Sequence, residues 1–181
     1  LLLSFLMTTT VIGQGAASSG SGELDRTQPA WRAFAAEVVP DAGEDAGRLF
    51  GREAGQVASV LRKAGRKNPV FIDETGHNRE FVLRSAAARL AADAPGKKIY
   101  KVNWPALLAL DSGGPSTEAA VKQVVSWAAS SKNSVVLFVD DLTAFSRETP
   151  YLGTAAADQL YAAVSAGDIQ VVTAATSKDF D

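Results

Sequence analysis

From Arg48 onward, apolar residues alternate between helical spacing and short unbroken runs. Gly51 to Lys67 puts Val57, Val60, Leu61 and Ala64 on one face, with basic residues near its end to complement the dipole, and predicts a helix broken by Asn68-Pro69. Val70-Phe71-Ile72 is a fully apolar run and predicts a buried parallel strand. The same reading predicts helices over Arg79–Ala92, Thr117–Ser130 and Thr154–Ala166, and a short helical turn over Trp104–Leu110. Strands are predicted at Lys98–Asn103, Ser134–Asp140 and Ile169–Ala174, with an exposed loop over Asp111–Ser116. Ahead of this region Trp31, Phe34 and Val38 stand at helical spacing and predict a short helix within Pro29–Val39, followed by a loop over Asp41–Gly47. The organisation expected is a signal-like segment and linker (1–28), a short helix and linker (29–47) and an α/β unit (48–181). Strands alternating with helices imply a mainly parallel sheet covered on both faces, with ligands at the C-terminal ends of the strands. Those ends are the loop after Ile72 and the pair Asp140-Asp141.

Composition narrows the chemistry. The chain has 181 residues, enough for one domain of ordinary size, with 46% hydrophobic and 21% charged residues. A net charge of -2 offers no basic field for nucleic acid. There is no cysteine, which removes disulfides and thiolate chemistry, and the single histidine, His77, rules out a multi-histidine metal site. Leu1 to Gly13 is apolar and is followed by small polar residues, a pattern resembling the end of a secretory signal peptide that lacks its basic start. An export signal implies an extracytoplasmic or periplasmic location, and its absence a cytoplasmic one. Membrane attachment would come only through that segment left uncleaved. Leucine rather than methionine at position 1 suits a fragment of a longer protein.

Four ordered landmarks then carry a resemblance. Arg48 to Glu53 (RLFGRE), Arg66 to Ile72 (RKNPVFI), Asn133 to Leu142 (NSVVLFVDDL) and Ala163 to Thr176 (AVSAGDIQVVTAAT) are similar, in order and spacing, to the Clp-type AAA+ chaperones and unfoldases. The resemblance implies an α/β, P-loop NTPase-like three-layer sandwich. It also implies an ATP–Mg²⁺ site, assembly into a hexamer or with a protein partner, and a helical lid and arginine fingers whose counterparts would lie beyond Asp181. The RLFGRE stretch would lie near the adenine, Asn133 to Leu142 would be the Walker B strand, and the last landmark would end in the sensor-1 strand, with Ala175 or Thr176 at the polar position.

The departures bear on activity. In the family the phosphate loop reads Gly-x-x-x-x-Gly-Lys-Ser/Thr, its N–H groups cradling phosphates, its lysine on the β/γ-phosphates and its hydroxyl on the metal. Here Asp73 to Glu80 reads DETGHNRE, so the cofactor-binding candidates are Gly76, His77, Asn78, Arg79 and Glu80. Asp73 and Asn78 replace the two defining glycines, Arg79 replaces the lysine with a planar fork, and Glu80 replaces the metal-binding hydroxyl. Asp73, Glu74, Arg79 and Glu80 sum to -2. A like-charge pair about 5 Å apart costs about 3 kcal/mol at an effective dielectric of ~20. Asp140 matches the Mg²⁺-associated acid, and Asp141 stands for the catalytic glutamate, one methylene shorter. The loop that grips substrate in the family carries an aromatic where Gly113 stands here. Lone His77 reads as an exposed loop residue without a special task.

The reading expected from the sequence is a degenerate Clp/AAA+-type domain, nucleotide-independent and serving protein–protein interaction or assembly, with no cofactor. The alternative is a divergent ATP-hydrolysing chaperone subunit using ATP and Mg²⁺, with Arg79 as phosphate clamp, Asp140 on the metal and Asp141 positioning water.

Overall fold

The computed structural model describes residues 30–41, 44–63, 67–111, 115–140 and 153–180. After a 3-10 turn at Ala30–Ala33 the chain forms β1 (Ala35–Glu37), α1 (Glu44–Arg62), β2 (Val70–Ile72), α2 (Arg79–Asp93), β3 (Lys98–Val102) and α3 (Trp104–Asp111). It continues with α4 (Pro115–Ser130), β4 (Val135–Val139), α5 (Thr154–Ala166), β5 (Gln170–Ala175) and the short α6 (Ser177–Phe180). The strands lie in the order β1-β3-β4-β5-β2. All neighbours are parallel except β1 with β3.

Strand alternation divides the core into two layers. Val135, Leu137 and Val139 of β4 face α4 and α5, packing with Val121, Val124 and Leu160. Val136 and Phe138 face α1 and α2, packing with Leu61, Leu83 and Leu90. Every residue of β4 is buried, which is why an unbroken apolar run suits a central parallel strand. Leu61, Leu83 and Leu90 are fully buried, and truncating any one to alanine would leave a cavity costing about 2–5 kcal/mol. The result is the three-layer, mainly parallel α/β sandwich that the sequence implies.

Three local expectations are corrected. The helix predicted within Pro29–Val39 is instead a 3-10 turn and the edge strand β1, with Ala35 opposite Val102. Trp31 and Phe34 pack on the α4/α5 side, whereas Val38 belongs to the α1/α2 side. One helical face cannot serve both layers, so the segment crosses the sheet edge as extended chain. Second, the loop predicted over Asp41–Gly47 gives way to α1 from Glu44, which bends at Phe50 (φ -127°, ψ 20°) just before Gly51. Third, β2 is parallel as predicted but lies at the edge of the described sheet, with Val70 37% and Ile72 45% exposed. Its inward residue is Phe71, stacked 6.1 Å from Phe138.

The signal-like segment, Gly113 and Asp141 lie outside the described residues. Among the described residues no helix is long and apolar enough to cross a membrane.

Candidate functional site

At the C-terminal end of β2 the Asp73 N–H donates to the Ala175 carbonyl at 2.9 Å, continuing the ladder one step past the strand. The side chain then turns back over its own loop. Its Oδ1 accepts the Thr75 N–H at 3.1 Å and the Thr75 hydroxyl at 3.0 Å, and its Oδ2 accepts the Asn78 N–H at 3.1 Å. This is the aspartate-centred turn that an Asp two residues before a donor favours. Gly76 takes φ +71°, the left-handed region glycine occupies without strain. Asn78 sits at φ -93°, so its tolerance of left-handed backbone is not called upon. Burial pushes the Asp73 carboxyl up, but hydrogen bonds from Thr75, Asn78 and Gly76 outweigh it and hold the group below its ordinary 3.8. The loop thus encloses an ionised carboxylate of its own at neutral pH.

Arg79 opens α2 and points across to β4. Its Nη1 donates to the Asp140 carbonyl at 2.8 Å and to Asp140 Oδ1 at 3.0 Å, while its Nε lies 3.8 Å from Asp73 Oδ2. Lys101 of β3 places Nζ 3.8 Å from Asp140 Oδ2 and 3.6 Å from Glu80 Oε2. Glu74 Oε1 accepts the Ser177 N–H at 2.9 Å and also the Ser177 hydroxyl. The acidic residues that the sequence sums to -2 are therefore each engaged by donors or cations of the chain.

The fold gathers Gly76, His77, Asn78, Arg79, Glu80 and Asp140 into one neighbourhood at the strand ends. Within it Glu80 turns to Lys101 and Arg79 to Asp140, and the exposed His77 uses its backbone N–H, which donates to Thr75 Oγ1 at 3.3 Å. Next to the loop, Phe50, Glu53, Phe71, Ile72, Asp73, Asn78 and Val82 line an open hollow of ≈ 220 Å³. Phe50 of the RLFGRE stretch thus stands beside the loop. A nucleotide triphosphate with Mg²⁺ needs free N–H donors in the loop and a hydroxyl after the cation. The Thr75 and Asn78 donors face a carboxylate instead, and a glutamate follows the cation, so the residues present do not fit that group. Among the described residues no cluster of three or more His, Cys, Asp or Glu side chains could hold a metal ion.

Sequence reasoning counted Asp73 only as a lost glycine and a charge, and passed over Lys101 entirely. The signal for Asp73 was available in the Asp-x-Thr spacing of 73–75. Nothing local marks Lys101, whose role arises from the strand pairing that sets β3 beside β4. At the second family loop, Asp111 is not loop but the last residue of α3, and α4 begins two residues earlier than predicted, at Pro115.

No family model matches the sequence. The chain is 27% identical over 134 residues to the "ATP-dependent Clp protease ATP-binding subunit ClpE" of Bacillus subtilis, covering 71% of this chain and 19% of that protein. It is 27% identical over 169 residues to "Chaperone protein ClpB 2" of Parasynechococcus marenigrum, covering 87% of this chain and 18% of that protein. Among solved structures, the extended Saccharomyces cerevisiae Hsp104:casein complex matches with a TM-score of 0.62 at 22% identity, over 83% of this chain and 27% of that one. The closed Hsp104 structure with ATPγS and FITC casein gives a TM-score of 0.66 at 22% identity, over 83% and 28%. The chain spans less than a fifth of the length of these sequence relatives. Sequence and structure together make the described region similar in fold to the Clp-type AAA+ chaperones, over part of their length.

Proposed function

We propose that this chain is a degenerate Clp/AAA+-type domain that works without nucleotide, as a protein-binding or assembly module. One observation carries the reading: the Asp73 carboxylate already accepts the Thr75 and Asn78 N–H groups. An incoming phosphate would have to displace a carboxylate tethered to the same loop, whose short linkage gives it an effective concentration of at least about a millimolar. It would also meet like charge, at about 3 kcal/mol for a separation of about 5 Å and an effective dielectric of ~20. The partner class is a protein, including further copies of this chain; the casein complexes of Hsp104 support a protein-handling surface on this fold. Calorimetric titration of the purified protein with ATP and Mg²⁺ tests the reading. Little or no heat of binding is expected, and a dissociation constant tighter than about 10 µM would overturn it.

A second reading, a divergent ATP-hydrolysing chaperone subunit, is favoured by one retained feature, the acid Asp140 just past β4. Phosphate release by the wild type and by Asp141→Asn separates the two. Equal rates remove the second reading.

A further inference from the structure

We infer that Arg79 is the centre of a built-in clasp that joins the ends of β2, β3 and β4 with no bound ligand. Five charges alternate in sign: Asp73, Arg79, Asp140, Lys101 and Glu80. Arg79 and Glu80 are successive residues in α2, so the circuit closes through the backbone. Its members come from the loop after β2, the first turn of α2, the C-terminal end of β3 and the residue following β4. The inference rests on the reading of the loop as satisfied by its own carboxylate and extends it. Asp73 is held by its neighbours, and it is also coupled through one guanidinium to a residue 61 positions on from Arg79.

The geometry of Arg79 makes the coupling specific. One planar side chain addresses the carbonyl and carboxylate of Asp140 through Nη1 and faces Asp73 with Nε. Nε has no hydrogen-bond partner at bonding distance, so the 3.8 Å approach to Asp73 is its compensation. The Arg79 side chain is 22% exposed and that of Asp73 6%, so solvent screens this junction less than it does Lys101 or Glu80. A lysine carries one nitrogen at the tip and cannot span both acids in the same way.

Amide hydrogen exchange on the full chain, with no nucleotide in the sample, tests the clasp. Loss of a charge-assisted partner makes Thr75 and Asn78 amides exchange about tenfold faster in Asp140→Ala. Amides of Val136 and Leu137 keep their wild-type protection and show that the sheet is intact. Arg79→Met gives the same loosening, and Arg79→Lys fails to restore wild-type exchange. Lys101→Met, on the more exposed arm, gives about threefold. Thr75 and Asn78 exchange within about twofold of wild type in Asp140→Ala, with the sheet protected, would overturn the inference. Should the Arg79 variants disturb the β4 amides, Asp140→Ala alone decides. Nucleotide binding by the wild type bears on the proposed function, whereas these exchange rates bear on the clasp.

Discussion

Two carboxylates of this protein reach forward onto N–H groups at or just before the start of a helix, and they differ in what stands behind them. Before α2, Asp73 accepts from Thr75 and Asn78. Before α4, Asp111 accepts the Ser116 N–H at 2.7 Å, the Thr117 N–H at 2.9 Å and the Thr117 hydroxyl at 2.7 Å. They stand in the two stretches of sequence, from Asp73 to Glu80 and from Asp111 to Pro115, that the family resemblance would assign to gripping phosphate and gripping substrate. Asp73 is buried and faces Arg79, whereas Asp111 is exposed and among the described residues enters no ion pair. The Thr117 hydroxyl, followed by burial in the opposite sense and the two N–H bonds, lowers Asp111 to about 2. Capping chemistry is thus shared, but among the described residues only Asp73 of the two is tied, through Arg79, to a distant strand. Asp111 fixes how α3 meets α4; Asp73 takes part in tertiary structure.

The largest effect that would separate the two is the loss of each carboxylate in turn. Asp73→Ala leaves two N–H donors and a guanidinium short of a charged partner and costs about 2–3 kcal/mol in urea unfolding. Asp111→Ala exposes its donors to water and costs less. The reverse order would break the contrast between a tertiary and a local cap.

Acid probes the same pair. Both carboxyls have folded values below the ordinary 3.8, so each contributes stability that is fully present above 3.8 and is lost as pH falls through the folded value. For Asp111 that window runs from 3.8 down to about 2. Urea midpoints measured between pH 5 and 2 should fall in the wild type, and each Asp→Asn change should flatten the decline. A decline unchanged in both variants would place the acid sensitivity elsewhere.

How far these features were legible in the sequence depends on where their cause lies. Leu137 and Phe138 sit in an apolar run that declares a buried strand, because both of its faces must be covered. Trp31, Phe34 and Val38 misled, because helical spacing alone cannot say that a segment divides its side chains between two layers. Val70-Phe71-Ile72 reads as buried throughout, yet only Phe71 turns inward while Val70 and Ile72 are exposed, since edge and centre strands share one composition. Arg79 was recognised as a retained cation, yet its target could not be read: the contact with Asp140 spans 61 residues and exists only once β2, β4 and β5 are aligned.

A smaller effect tests the backbone of the first loop. Gly76 holds φ +71°, and the nearest atom to an added Cβ is the guanidinium carbon of Arg79 at 3.8 Å, an ordinary contact. Gly76→Ala therefore meets no steric block and suffers only from the left-handed backbone, costing about 1 kcal/mol in urea unfolding. A neutral result would mean the turn can reshape around Asp73. A loss as large as that of Asp73→Ala would mean the backbone, and not the carboxylate, organises the loop.

The smallest effect is expected at the residue that most invites a catalytic role. His77 lies in the middle of the candidate site, exposed, and the hydrogen bond that holds it uses its backbone N–H and the Thr75 hydroxyl. The imidazole takes no part in that bond, and alanine would keep it. His77→Ala should change unfolding stability by less than about 0.5 kcal/mol, the range of surface substitutions away from packing and caps. It should also leave the acid decline of the two aspartates in place. A larger loss of stability would show that the imidazole supports the turn around Asp73, and that turn would then owe its order to the single histidine of the sequence as well as to its carboxylate.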